Sequence, residues 1–323
     1  MSARARRLAK AALGWALRGA LRLSGRKVGV VLLYHSIEES GRARADELVP
    51  PTSPELFSRQ LDHLRRRYRV VPASGLQAAA AARRRGGRLP VAITFDDDDP
   101  GYVRRVVPAL GRAGLPATFF LNGSSLGGRS PLWWRQLQAA WDRGAVDEEL
   151  VAALPAGDAG APPSLDRVGH AISRLRPGER PEVERLLTER AGQEPGLCGM
   201  PLEEVRALSE AGLEVGFHTL RHDYLPLLGE EELREALVTG RAELADAAGA
   251  PVEILAYPSG GHDERVRAAV AEAGFAQAFA ALPAPVTPDA DPLALGRVTP
   301  PRGSVAELSL EITRTAAGRP RGR

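Results

Sequence analysis

Lysine is almost missing from this chain. It occurs only at Lys10 and Lys27, so nearly all the positive charge behind the net +3 and the pI near 9.3 is arginine. A bias toward arginine, alanine, glycine and proline follows genome base composition. No array of basic and aromatic residues of the kind that stacks bases accompanies it, which argues against a nucleic-acid partner. Cysteine is limited to Cys198, which excludes an intrachain disulfide and leaves the redox compartment open. An uninterrupted apolar run is also lacking: in the stretch 1–26, Arg18 and Arg22 break any run of membrane-spanning length. Nor does an apolar core precede a small-residue cleavage site, as it would in a secretory signal. The stretch reads instead as a basic amphipathic helix, which either touches an anionic membrane face peripherally or packs on the domain. A cytoplasmic location, or one at the inner membrane face, is the matching expectation. Oligomeric state is not legible.

With 44% hydrophobic and 26% charged residues, the composition is that of an ordinary globular protein, and 323 residues can bury one large core or two small ones. The most informative stretch is Val91-Ala92-Ile93-Thr94-Phe95-Asp96-Asp97-Asp98-Asp99. A short continuous apolar run reads as a strand buried on both faces. Its charged end is expected at a sheet rim, because several unpaired carboxylates cannot be buried. Such a strand delivers adjacent acids to a place where a metal or a proton could be handled, although an acidic run alone is as compatible with a solvated loop.

Similar apolar runs at 28–33, 117–121, 213–217, 252–256 and 275–280 alternate with helical patterns, and 295–298 reads as a last strand. Ser53-Pro54-Glu55 gives an N-cap, a proline at N1 and an early acid for one of these helices. A helix is expected over 230–248. The alternation implies parallel β/α units. From about 123 to 199 it fails, and helical pieces separated by a Pro- and Gly-rich stretch suggest an insert covering one rim. Trp133, Trp134 and Trp141 in this insert either present a sugar-binding face or pack its core.

Three strand ends carry chemistry: Asp96-Asp97, His218 with His222, and the loop Tyr257-Pro258-Ser259-Gly260. In a barrel of parallel strands, residues at the C-terminal ends converge on one mouth. One carboxylate and two imidazoles facing a common point make a catalytic divalent-metal site. The four-residue spacing of the histidines puts both rings on one side of a helical turn, if the segment is helical there.

These residues resemble the motifs of the polysaccharide deacetylases, the carbohydrate esterase family 4 or NodB-homology group. Thr94-Phe95-Asp96-Asp97 looks like the first motif, and His218, Thr219, His222 and Leu225 meet the second in full. Ala256-Tyr257-Pro258-Ser259-Gly260 meets the third only partly, since Ala256 stands where the motif has an arginine that orients the base. Arg297 is the candidate replacement from another strand. Asp98 replaces the glycine after the Asp pair, which makes that loop longer and more acidic, and no histidine after His262 supplies the family's late general acid. Val31-Leu32-Leu33-Tyr34-His35 resembles an early strand of the circularly permuted poly-N-acetylglucosamine deacetylases, which makes His35 the candidate for that role or for tuning Asp96.

The resemblance runs over about 28–298, with the helical insert outside it, and implies a distorted parallel (β/α) barrel of about seven strands; the domain is read over 27–312, with the insert at about 124–199 and a tail at 313–323 expected to be disordered. The resemblance further implies Asp96 as general base and Asp97, His218 and His222 as metal ligands. The metal is expected to be Zn²⁺, with Co²⁺ or another divalent ion as substitutes. Tyr257, Pro258, Ser259 and Gly260 would form the substrate and oxyanion loop. The implied activity is removal of N-acetyl groups from an N-acetylated glycan. The alternatives are a polysaccharide O-acetyl esterase, a non-catalytic metal- or glycan-binding member, and a membrane-surface accessory carried by its basic N-terminal segment.

Overall fold

A computed structural model describes residues 19–39, 46–124, 126, 132–154, 164–192 and 198–318. Seven strands close into a parallel barrel: β1 (Val30–Tyr34), β3 (Pro90–Asp96), β4 (Thr118–Leu121), β5 (Glu214–Phe217), β6 (Ile254–Ala256), β7 (Gln277–Ala280) and β8 (Leu295–Val298). Closure is made by β1, which pairs with β3 on one side (Val30 opposite Val91 through Tyr34 opposite Phe95) and with β8 on the other (Val31 opposite Arg297). A two-residue strand, β2 (Arg69–Val70), pairs with the start of β3. Closure leaves the barrel without a free edge.

The period-2 alternation of each strand then decides what fills the barrel. Val31, Ala92, Phe120, Ile254, Ala256, Phe279 and Leu295 form one buried cluster, with Leu76 and Val286 packed into it. Their neighbours one residue along, among them Leu32, Ile93, Phe119, Phe217 and Leu255, belong to the larger core shared with the surrounding helices. On β5 the inward position is Gly216, where a Cβ would meet the Phe120 ring at 2.5 Å; the barrel has room there for backbone only. Continuing the inward parity to the C-terminal rim reaches Asp96, His218 and Arg297.

Helix Pro54–Arg67 starts as the sequence predicts, with Ser53 Oγ accepting from Leu56 N, a proline in the first turn, and arginines at its end. Two expectations need correction. The helix expected over 230–248 is two helices, Glu230–Val238 and Arg241–Ala248, broken at Gly240 (φ 82°). A Cβ on Gly240 would lie 2.9 Å from the Cα of Gly123, so the break lets two backbones touch. The last helix, Val305–Ala316, runs past Thr313, where a disordered tail was expected. Thr313, Thr315 and Ala316 are buried, so packing carries the order onward.

Helices Trp133–Asp142, Glu148–Ala152, Leu165–Ser173 and Arg180–Ala191 share a hydrophobic cluster of their own, to which Trp133, Trp134 and Trp141 all contribute. Residues 19–24 are helical; the rest of the basic segment, 1–18, and the end of the tail, 319–323, lie outside the described residues. Among the described residues no helix is long and apolar enough to cross a membrane.

Candidate active site

Neighbouring residues of a strand point to opposite faces, so Asp96 and Asp97 could not share a site if β3 continued. β3 ends at Asp96, and Asp97 adopts φ 68°, which turns the second carboxylate back toward the mouth. Both then face His218: its Nε2 lies 3.8 Å from Asp96 Oδ2 and 3.7 Å from Asp97 Oδ1.

His218 follows β5 and extends its ladder, donating its backbone N–H to Leu121 O. Its Nδ1 lies 2.8 Å from Ala256 O. A carbonyl can only accept, so Nδ1 carries the proton and Nε2 turns a lone pair toward the aspartates. The segment 218–222 is not helical, so a shared helical face is not what brings the two rings together. Thr219 (φ 69°) and His222 (φ 57°) fold it back on itself instead, leaving the two imidazole centroids 4.9 Å apart. Backbone hydrogen bonds from Gly123 and Ser124 to Thr219 O and Leu220 O hold one side of the loop. On the other, the buried Arg180 donates to Arg221 O and His222 O and pairs with Asp223 at 3.0 Å. Nothing in the sequence marked Arg180, because its role depends on a helix packing over a loop 41 residues away.

His222 Nε2 lies 3.8 Å from Asp97 Oδ1, so one ligand atom from each of Asp97, His218 and His222 sits within 4.8 Å of the others. Asp97 Oδ1 is buried and has no hydrogen-bond partner among the described residues. One orphaned carboxylate oxygen at 3.7 and 3.8 Å from two imidazole nitrogens, beyond hydrogen-bond reach of both, is the donor set a divalent transition metal takes. These residues fit a metal.

The acidic run is buried, not solvated, and each of its other carboxylates is held. Asn122 donates to Asp98 at 2.7 Å. Asp99 accepts from Arg135 at 2.6 Å, from Arg105 at 3.4 Å and from the Gly101 N–H at 2.6 Å. Asp96 receives a two-pronged ion pair from Arg297, at 2.5 and 2.7 Å, and the arginine is itself fully buried. The guanidinium missing at Ala256 is thus supplied from β8, where it also lies over the Phe120 ring.

This arrangement separates the two adjacent acids electrostatically. Burial pushes the Asp96 pKa up, but the Arg297 guanidinium, through its charge and its two hydrogen bonds, outweighs it and holds the carboxyl below its ordinary value. Asp97 has no ion pair of that kind: burial, then the charges of Asp96 and Asp98, drive its pKa well above the usual carboxylate range against the weaker pull of Arg135. Burial lowers both His218 and His222, the second strongly, so both imidazoles are neutral and free to ligate.

His35 follows β1 beside Asp96, and Tyr102 lies between them, its hydroxyl donating to Asp96 O at 2.5 Å with His35 O 3.2 Å away as a second acceptor for the same proton. Desolvation pulls the His35 pKa down to about 4 against the opposing charge of Asp96. A cavity of about 400 Å³ opens on this group, lined by His35, Asp96, Asp97, His218 and His222, by Tyr257, Ser259 and Gly260, and by Trp133 and Trp134. Pro258 is buried and is not part of the lining. The N–H groups of Gly260 and Gly261 are committed to Tyr257 O and Pro258 O, and Ser259 (φ 52°) lines the cavity beside them. Trp134 packs on the His222 ring at 5.0 Å between centroids, whereas Trp141 packs only in the helical cluster. All four non-glycine residues with positive φ among the described residues, Asp97, Thr219, His222 and Ser259, belong to this site.

The polysaccharide deacetylase family model matches residues 83–149 and 183–278, just over half of the chain. No curated protein matches. Among solved structures, the Streptococcus pyogenes deacetylase PplD superposes with a TM-score of 0.60 at 14% identity, covering 88% of this chain and 98% of that one. IcaB from Ammonifex degensii gives 0.56 at 20% identity, covering 88% and 97%. The BpsB deacetylase domain from Bordetella bronchiseptica gives 0.51 at 17%, covering 84% and 95%. At these identities the likeness is one of fold.

Proposed function

From the premise that this chain belongs to the polysaccharide deacetylase family, we propose that it is a metal-dependent hydrolase that removes N-acetyl groups from an N-acetylglucosamine-containing glycan. The observation that carries this reading is the orphaned Asp97 Oδ1 facing the Nε2 atoms of His218 and His222. Asp97, His218 and His222 would hold the ion, most naturally Zn²⁺, given two imidazoles and one carboxylate. When bound, such an ion polarises the acetyl carbonyl and makes water a competent nucleophile near neutral pH.

The chain's own residues supply the proton traffic. Asp96, kept ionised by Arg297, accepts the proton of the attacking water. The developing oxyanion is met by the Ser259 N–H. His35 rests neutral, because its pKa lies near 4. The proton it gives to the departing amine therefore comes from the reaction itself, handed over from Asp96. Water adds across the amide C–N bond, and the products are acetate and a free amino sugar. Trp133 and Trp134, on the wall of the cavity, give an apolar face against which a sugar ring can stack. Arg297 also removes one reason to read the chain as a non-catalytic binder, since Asp96 does have its guanidinium.

The test is acetate release from short N-acetylglucosamine oligomers, with metal content measured on the same samples, for wild type, Asp97→Ala and His218→Ala. Release that depends on metal and on both residues supports the proposal. Release from O-acetylated oligomers alone would make the chain an esterase, and bound metal without release from either substrate would make it a binder. Absence of metal from the wild type after reconstitution would refute the site.

A further inference from the structure

The strands are parallel, so the barrel has a second end, opposite the carboxylate rim, where the N-terminal ends of β1, β2 and β3 emerge. A cavity of about 410 Å³ lies there, and among the described residues its walls carry five arginines, Arg22, Arg66, Arg67, Arg83 and Arg88, and no carboxylate. The central one, Arg83, is only 5% exposed. Its guanidinium donates to three backbone carbonyls, of Arg26, Leu21 and Gly87, and its Nε has no partner among the described residues. Carbonyl dipoles orient a buried cation without neutralising it, and burial alone lowers its pKa. A buried charge with no counter-ion is costly unless something else supplies one.

The neighbours do not supply it. Arg22 donates to Gly86 O at 2.7 Å and Arg88 to Arg65 O at 3.2 Å, both backbone carbonyls. Arg66 reaches a carboxylate, Asp62 at 3.1 Å, but that group is half exposed and lies outside the cavity wall. The positive field also extends beyond the cavity, through exposed Arg26, Lys27, Arg84 and Arg85. Guanidinium forks match the oxygens of a phosphate, two N–H groups to two oxygens, better than they match a spherical anion.

We propose that this cavity is a phosphate-binding site, with Arg83 as its buried anchor and Arg22, Arg66, Arg67 and Arg88 as its clamp. The phosphate is carried by an anionic lipid headgroup or is free in solution. An occupant here sits at the far end of the barrel from Asp96 and leaves the catalytic mouth open.

The test compares the full-length wild type with an Arg66→Glu/Arg88→Glu variant, whose substitutions are both at exposed positions. Inorganic phosphate is titrated calorimetrically at low ionic strength in one arm. In the other, the protein is sedimented with phosphatidylglycerol vesicles and with phosphatidylcholine vesicles. The wild type is expected to bind in at least one arm, with the double charge reversal weakening that binding by about tenfold or more. Binding of phosphate in solution alone identifies a soluble ligand; preference for phosphatidylglycerol vesicles identifies a headgroup. An unchanged unfolding midpoint and unchanged acetate release show that the variant is intact. The proposal fails if the wild type binds in neither arm, or if the variant binds as tightly as the wild type.

Discussion

Replacing Arg297 with methionine keeps most of the side-chain volume on β8 and removes the charge. In the wild type the pair is fully desolvated, with two hydrogen bonds at 2.5 and 2.7 Å and no exposed surface on the arginine. Removing one partner of such a pair costs about 3–5 kcal/mol, because the other is left as an uncompensated buried charge. The pH dependence has a definite sign. In the wild type the Asp96 pKa is depressed, so its contribution is fully present above the unfolded carboxylate value of about 3.9 and is lost only as pH falls through the lower folded value. Without Arg297 the charge that chiefly opposes burial is gone, and the pKa rises. The variant then loses stability as pH climbs through that raised value, so its deficit against wild type should widen from about pH 5 to about pH 8. Urea unfolding at both pH values measures this. A double-mutant cycle with Asp96→Asn isolates the pair: Asp96→Asn/Arg297→Met should be more stable than Arg297→Met alone, with coupling of about 3 kcal/mol. Additive effects within about 0.5 kcal/mol would refute the pairing as the reason for the loss.

Asp97→Asn should raise the stability of the metal-free protein at neutral pH, because a carboxyl whose folded pKa is raised destabilises the fold progressively as pH rises above its unfolded value. The same substitution should abolish metal retention, and unfolding midpoints with and without chelator read both effects. His35→Ala should lower kcat for acetate release by about 10²-fold while metal content stays unchanged; loss of the metal would instead make His35 a structural support of the centre. Gly240→Ala should destabilise by about 1–3 kcal/mol, since a side chain there is both forced into positive φ and pressed onto Gly123. A neutral result in thermal unfolding would show that the two-helix break is not held by that contact.

Much of this architecture was legible in the sequence wherever one segment determined it. Apolar runs at the strands, the Ser53-Pro54 start of a helix and the positions of the aspartate and histidine pairs are properties of a few adjacent residues. What escaped depended on partners distant along the chain. Burial of Asp98 and Asp99 looked prohibitive because Asn122, Arg105 and Arg135, which satisfy them, come from other elements. Arg297 was a nominee for the missing guanidinium, yet only barrel closure through β1 and β8 shows why it reaches Asp96 across 201 residues. The histidine spacing left a helical turn open, because periodicity carries no information about residues forced into positive φ by a tight loop.

Those unusual backbone angles at Asp97, Thr219, His222 and Ser259 have a bearing on how the protein wears out. Each is a conformation that costs about 1–3 kcal/mol and persists only because the surroundings over-determine it. The expense is borne by the closed barrel beneath, so the working end is under tension while its foundation is relaxed. Warming should therefore undo the molecule in sequence, with acetate release fading while the strands are still assembled. If heating stops at that stage, the intact barrel is the mould in which the rim resets, and cooling should return the activity without refolding.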